Sequence, residues 1–164
     1  MAATQWGRAH GLRIIGTAGS EAGLKAVLEA GAEHAMAHDE VAAKLPGLTG
    51  GRGPALILEM LANANLQKDL DMVAKFGRIV VIGNRGTLDF NPRGTMLKEA
   101  DIRGMSLFNT PPEDLRSIQT AIGAGLRAGS LKPVIAQKFA LAEASKAHEA
   151  ILKPGSLGKI VLIP

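Results

Sequence analysis

Short aliphatic runs that stop at glycine recur along this chain, each followed by a stretch with helical spacing. Residues 78–86 read R-I-V-V-I-G-N-R-G, an apolar run too short for a helix, halted at glycine and followed by an amide, a guanidinium and a second glycine. Residues 12–20 (L-R-I-I-G-T-A-G-S) repeat the form, and residues 55–65 (A-L-I-L-E-M-L-A-N-A-N) are a third apolar strand running into small and polar residues. Runs that are apolar on both faces predict buried parallel strands. Alternated with helices, they predict an open α/β sheet with a crevice along its carboxyl edge, where ligands bind.

Read in order, the pattern predicts a helix over 2–10 closed by Gly11 and a strand over 12–17. Ser20 then caps a helix with Leu24, Val27 and Leu28 on one face, ending at Gly31. A short strand over 35–38 leads through a polar loop or helix to Leu45, and P-G-L-T-G-G-R-G-P over 46–54 reads as a turn-rich surface connection. The strand over 55–59 feeds a helix in which Leu66, Leu70 and Val73 share a face, stopped at Gly77. Beyond Gly86, Leu88 and Phe90 alternate with Thr87 and Asp89 in a short extended piece, a helix occupies 92–100, and a strand covers 102–108. T-P-P-E at 110–113 reads as a capping box with proline at the first helical position, and Leu115, Ile118, Ile122 and Leu126 form a stripe expected to be buried, up to Gly129. A last helix over 142–152 runs through Pro154 and Gly155 into a terminal strand over 159–163.

Composition narrows this little. At 164 residues the chain suits one domain spanning 1–164, and 46% hydrophobic with 21% charged residues is ordinary for a globular fold. The net charge of +4 could suggest nucleic acid, but both signs are interspersed and no basic run occurs, which describes a mildly basic solvated surface. With no cysteine there is no disulfide or thiolate metal site in these residues, and His10, His34 and His148 have no partner spacing that suggests a metal. The apolar runs are too short to span a bilayer and M-A-A-T-Q-W-G-R lacks the apolar core of a secretion signal, so the expectation is a cytoplasmic protein without membrane attachment.

One element of a dinucleotide fold is not in the chain. Such folds open with a strand, a glycine-rich turn and a helix, because only glycine lets backbone amides approach a pyrophosphate at the helix N-terminus. No G-x-G-x-x-G occurs here, and the chain starts inside what would be that first helix. In the strand order 3-2-1-4-5-6 the first strand is central, so its two neighbours would be left with unpaired edges about 10 Å apart. Those edges must close on each other or stay adhesive.

Taken together, G-T-A-G-S-E-A-G at 16–23, E-M-L-A-N-A-N-L-x-K-D-L at 59–70, G-R-I-V-V-I-G-N-R-G-T at 77–87, N-P-R-G-T-M at 91–96, L-K-P-V-I at 131–135 and the closing A-H-E…G-K-I-V-L resemble the zeta-crystallin family. These are zinc-free, NADPH-dependent quinone oxidoreductases of the medium-chain dehydrogenase/reductase superfamily. The resemblance runs in order over essentially the whole chain, but only over the cofactor-binding half of such an enzyme. It implies an α/β, Rossmann-like, mostly parallel sheet with helices on both faces, lacking the first strand and its glycine turn. The family's amino-terminal GroES-like catalytic domain has no counterpart here.

The resemblance assigns cofactor contacts to Gly19 after the second strand of that fold, His38 after the third, Asn65 after the fourth, Ile82, Gly83, Asn84 and Arg85 after the fifth, and Met105, Ser106 and Leu107 in the sixth. The local chemistry agrees with NADP(H): NAD sites place a carboxylate at the end of the second strand, which would repel a 2′-phosphate, whereas Thr17, Ala18, Gly19 and Ser20 are small and neutral. Lys25, and also Arg85, are candidate counter-charges, while Glu21 is a nearby acid that can face solvent as a first helical residue. The resemblance further implies a quinone or similar acceptor, no zinc, and a homo-oligomer joined through the 102–108 strand.

Each nomination has a plainer alternative. Gly19 and Gly83 can be turn glycines, His38 an exposed loop histidine, Asn65 a helix cap and Arg85 a solvated turn residue. Lys25 and Glu29 stand i, i+4 and read as a surface ion pair. Glu59 ends a strand at the crevice, where packing against the next helix's amides is the plainer role. No nucleophile–base pair, paired carboxylates or zinc constellation is visible, so no catalytic residue is named. The other function class is a non-catalytic nucleotide-binding or subunit-assembly module. Binding of AU-rich RNA, known among zeta-crystallin relatives, is disfavoured by one tryptophan, no tyrosine and four phenylalanines as stacking platforms.

Overall fold

The computed structural model describes residues 1–164 except Pro154 and Ser156, so the proline of the expected turn at 154–155 lies outside the described residues. The order is α1 (Ala2–Ala9), β1 (Ile15–Ala18), α2 (Glu21–Glu29), β2 (His34–Ala37), α3 (Val41–Thr49), β3 (Leu56–Glu59), α4 (Ala62–Met72), β4 (Arg78–Val81), α5 (Arg93–Lys98), β5 (Asp101–Gly104), α6 (Pro112–Arg127), β6 (Ile135–Ala140), α7 (Ala144–Ile151) and β7 (Lys159–Ile163). Every strand pair is parallel, as the glycine-ended apolar runs require, and the fold is α/β of the expected Rossmann-like class. No helix among the described residues is long and apolar enough to cross a membrane.

The chain divides into two compact units, Met1–Val41 with Arg116–Pro164, and Ala42–Leu115. In the first, β1 pairs β2 in the register Ala18↔Ala37 and β6 pairs β7 in the register Ala140↔Ile163. Ser20 caps α2 as expected, its Oγ accepting the Gly23 N–H at 3.1 Å. Gly16 admits α2 closely: a Cβ there would lie 2.2 Å from Val27 Cγ1. Met36, Ala30 and Ala32 are buried in this unit. The Gln5 side chain ties α1 to the segment before β6, donating to Lys132 O at 3.0 Å and accepting from Lys132 N at 2.8 Å.

In the second unit, β3, β4 and β5 form one sheet with Glu59, Val81 and Gly104 in register. Leu70 and Val73 from the α4 segment close on Ile79 of β4, with Ile57, Leu66, Phe90 and Ala100 packed around them. The outer edges of β1 and β3 carry no strand among the described residues. Leu56 and Leu58, on the β3 face opposite Ile57, remain exposed.

Several expectations are corrected. α3 continues through Pro46 and Gly47 to Thr49, where a surface turn was expected; burial of Leu45 and the Thr49 Oγ1 donation to Leu45 O at 2.9 Å hold that last turn. α4 ends at Met72, well before Gly77, and Phe76 takes the left-handed conformation at φ 60° that glycine would otherwise supply. α6 begins at Pro112, one residue too late for Thr110 to be its cap. Its stripe is not buried: Ile118, Ile122 and Leu126 are 42%, 41% and 45% exposed, because helical spacing aligns apolar residues without supplying the neighbour that covers them. β6 was not anticipated, since five of its six residues are exposed and give no alternation to read.

Candidate functional site

Parallel pairing puts the carboxyl ends of β1 and β2 at one edge of their sheet, and those of β3, β4 and β5 at one edge of theirs. Every nominated residue except Lys25 and Asn65, which lie within α2 and α4, follows one of these five strand ends.

At the edge of the first unit, Gly19 follows β1 and His38 follows β2. A Cβ on Gly19 would lie 3.7 Å from His38 Cδ2, ordinary contact, so the two positions face each other with room to spare. Both are exposed, as is Ser20. Thr17 to Ser20 present no carboxylate, and Glu21 is the first residue of α2. Lys25 lies along α2 with its Nζ 3.9 Å from Glu29 Oε1, both side chains largely in water, so the anticipated surface ion pair is present.

The edge of the second unit is held far more tightly. Glu59 O accepts the N–H groups of Ile82 at 2.8 Å and Gly83 at 3.2 Å, and Gly83 O accepts the Ala62 N–H at 3.0 Å. Gly83 has a steric reason to be glycine: an added Cβ would lie 2.2 Å from Met60 O. Asn84 Nδ2 donates to Gly86 O at 2.7 Å, and the Arg85 N–H donates to Asn63 Oδ1 at 3.0 Å, leaving the Arg85 side chain exposed on an ordered turn. Asn65 is not a cap; it sits in the first turns of α4, half-buried, with Nδ2 donating to Glu59 Oε1 at 3.3 Å.

Met105, Ser106 and Leu107 are not in a strand. β5 ends at Gly104 because β4 leaves the ladder: the Met105 N–H still reaches Val81 O at 3.0 Å, but the next amides of β4 are turned to Glu59. Ser106 is extended, and Leu107 opens a single tight turn, Leu107–Asn109. All three are exposed, and the pairing edge expected over 102–108 shrinks to Asp101–Gly104.

Sequence reasoning missed the most unusual electrostatic feature here. Glu59 and Asp69 are each only 6% exposed, and their side chains lie within hydrogen-bond reach. Burial, and then the neighbouring Glu59, push the Asp69 carboxyl up to about 8. The signal was present: Asp69 follows Leu66 by three and precedes Leu70 and Val73, an acid set into the apolar stripe of its helix. Glu59 also has the plainer role foreseen for it, its Oε1 accepting the Leu61 N–H at the start of α4.

Two shallow concavities lie away from these edges. One of about 390 Å³ in the first unit is lined by Gln5, Arg8, Glu29, Ser130 and Lys132, and one of about 240 Å³ in the second by Leu45, Arg52, Asp71 and Lys98. Neither contains a nominated residue.

Residues 1–122 match the model of a family described as zinc-binding dehydrogenase. Over 166 residues the chain is 44% identical to quinone oxidoreductase of Homo sapiens and 42% identical to that of Rattus norvegicus, in each case covering 99% of this chain and 50% of the relative. The chain thus spans about half the length of the curated relatives it matches. Among solved structures, the quinone oxidoreductase of Thermus thermophilus, determined also in complex with NADPH, superposes with a TM-score of 0.81 at 30% identity over 99% of this chain and 53% of its own. An NAD-dependent alcohol dehydrogenase superposes with a TM-score of 0.85 at 27% identity, over 99% and 47%.

Proposed function

The chain belongs to the zinc-binding dehydrogenase family, and from that premise we propose that it is the NADPH-holding half of a quinone oxidoreductase, 1–164 forming an amino-terminally incomplete Rossmann domain. The single observation that carries the reading is the edge of the β3–β4–β5 sheet, where Gly83, Asn84, Arg85 and Asn65 are gathered on hydrogen bonds that end at Glu59, Asn63 and Gly86. Identity with quinone oxidoreductases and superposition on one solved with NADPH support the same cofactor and acceptor class.

The residues fit the group. In the first unit, small neutral residues at 17–20 leave space for a phosphorylated ribose, His38 offers a flat ring beside Gly19, and Lys25 supplies positive charge one turn along α2. In the second unit, the rim made by Ile82, Gly83, Asn84 and Arg85 with Asn65 offers amide and guanidinium donors and the side-chain amide oxygens of Asn65 and Asn84 as acceptors, and Met105, Ser106 and Leu107 supply exposed backbone and apolar surface beside it. NADPH supplies the hydride; the work of these residues is to bind and orient it. The family description names zinc. This chain has no cysteine, and among the described residues no three metal-ligating side chains gather, so its residues do not fit that metal and no step is routed through it.

Titration of the 164-residue chain with NADPH, followed by nicotinamide fluorescence, tests the reading. Saturation below roughly millimolar concentration, tighter for NADPH than for NADH, is expected; a signal that rises without saturating would overturn it. NADPH oxidation on adding a simple quinone then separates an enzyme from a binding module. Assembly of identical copies through the outer edge of β5, four residues long with no strand beyond it among the described residues, is the partner reading that this edge favours.

A further inference from the structure

Two carboxyl groups buried side by side at a sheet edge, with a single set of hydrogen-bond donors between them, form a device that the cofactor reading does not use. Glu59 is the last residue of β3, and Asp69 lies on the third turn of α4. Both ionised, they would repel at contact in a medium that screens poorly, so one must be neutral. The donors decide which. Glu59 Oε1 receives two donors, the Leu61 N–H and Asn65 Nδ2. Asp69 Oδ2 is buried with no hydrogen-bond partner, an arrangement that suits a carboxylic acid whose proton goes to Glu59. The surrounding charges do not undo this. Lys68, next along α4, acts on Asp69 only in the weaker, opposing sense, and Lys98 of α5 is engaged by the carbonyl oxygens of Asp71 and Val73 at 2.9 and 2.7 Å.

We propose that Glu59 and Asp69 share one proton and act as positioning residues: Asp69 donates to Glu59, and Glu59, so held, fixes the Leu61 amide and the Asn65 side chain at the rim of the β3–β4–β5 sheet. A consequence follows for what the rim can recognise. With one Nδ2 hydrogen donated to Glu59, Asn65 keeps one N–H and its oxygen, the latter an acceptor for a ribose hydroxyl or a carboxamide N–H. This functional part rests on the reading of Asn65 as a cofactor contact. The proton sharing does not.

The test uses the whole 164-residue chain. Its infrared spectrum near neutral pH should contain the carbonyl stretch of one protonated carboxyl, lost in Asp69→Asn and equally in Glu59→Gln, because either amide supplies the hydrogen the pair otherwise shares. Absence of that band from the unsubstituted chain, or its survival in both variants, overturns the pairing. For NADPH affinity, Glu59→Gln, which keeps an acceptor and a donor but loses the charge, should weaken binding less than Glu59→Ala, which should weaken it by about tenfold or more, the loss expected for a charge-assisted hydrogen bond. Equal affinity in Glu59→Ala overturns the positioning role. A second readout does not depend on that variant folding: affinity of the parent chain should fall as pH rises through about 8, where Asp69 ionises against Glu59, and the fall should be absent in Asp69→Asn. Parallel pH profiles would count decisively against the proposal. A chain that shows the infrared band but binds no NADPH overturns the cofactor reading and reduces the pair to a structural clamp, so the two failures are distinct.

Discussion

The two sheet edges that carry the nominated residues are built to different tolerances. At the ends of β1 and β2, Gly19, Lys25 and His38 are exposed, and a Cβ on Gly19 would fall at an ordinary 3.7 Å from His38. At the ends of β3 and β4, Gly83 is wedged against Met60 O, its amide and that of Ile82 are spent on Glu59 O, and Glu59 is itself buried against Asp69. One edge displays groups to solvent; the other uses backbone and buried carboxyls to fix groups in place. Residues of the first kind can change without disturbing the fold, so substituting them isolates an effect on binding. Residues of the second kind hold the fold, so substituting them changes stability as well.

Substitution of glycine by alanine at the two edges separates these roles most sharply. Gly83→Ala must displace the Met60 carbonyl from 2.2 Å, and we expect a loss of about 2–4 kcal/mol in unfolding free energy together with NADPH binding. Gly19→Ala meets only the side of the His38 ring, with an expected stability change within about 0.5 kcal/mol and a clear loss of NADPH affinity. Urea unfolding and an NADPH titration on both variants measure this. Equal destabilisation would erase the distinction between the edges. As a reference for true core damage, Leu70→Ala should cost about 2–5 kcal/mol, and Ile118→Ala, on the half-exposed stripe of α6, well under half of that.

The buried acid gives the next largest effect, and its sign is fixed. Asp69 has its carboxyl raised in the folded chain, so between its ordinary value and about 8 the folded state holds a proton that the unfolded state has released. Stability therefore declines as pH rises through that window and levels off above it, with a limiting slope of about 1.4 kcal/mol per pH unit. In Asp69→Asn that contribution to the slope should vanish. The difference between the two profiles isolates the contribution of Asp69. Identical slopes would mean that Asp69 is already ionised near neutral pH.

What could be read beforehand was local. The runs ending at 18, 59 and 81 announced parallel strands because they are apolar on both faces and stop at small or polar residues, a local property of the chain. Gly19 and His38 at the ends of β1 and β2 were named by the resemblance, and no local spacing singles them out. The hydrogen-bonded edge was less legible. Glu59 and Asp69 are ten positions apart, and their meeting depends on how α4 lies on the sheet. That β5 would end at Gly104 depended on β4 turning its amides to Glu59, which no spacing within 102–108 encodes. The α6 stripe fails in the opposite sense: its period was read correctly, but burial belongs to a neighbour. β6 has no period to read, being exposed on both faces, and its place is fixed by pairing with β7.

The smallest effect tests the edge formed by β1 and β2 alone. Lys25 and Glu29 form a pair at 3.9 Å with both side chains mostly in water, so Lys25→Gln should alter stability by less than about 0.5 kcal/mol. If Lys25 serves as counter-charge to a 2′-phosphate, the same substitution should weaken NADPH several-fold while leaving NADH unchanged, because only NADPH carries the group. The ratio of the two affinities is the quantity to measure, at low and at high salt, since an exposed charge pair is screened and the ratio in the parent chain should itself shrink as salt rises. An unchanged ratio in Lys25→Gln would return Lys25 to its surface pairing and leave the preference for NADPH resting on the small neutral residues at 17–20. Arg85→Gln, at the other edge, is the matched control: its backbone is held by Asn63 whatever its side chain, so any change in the ratio there reports charge and not a displaced turn.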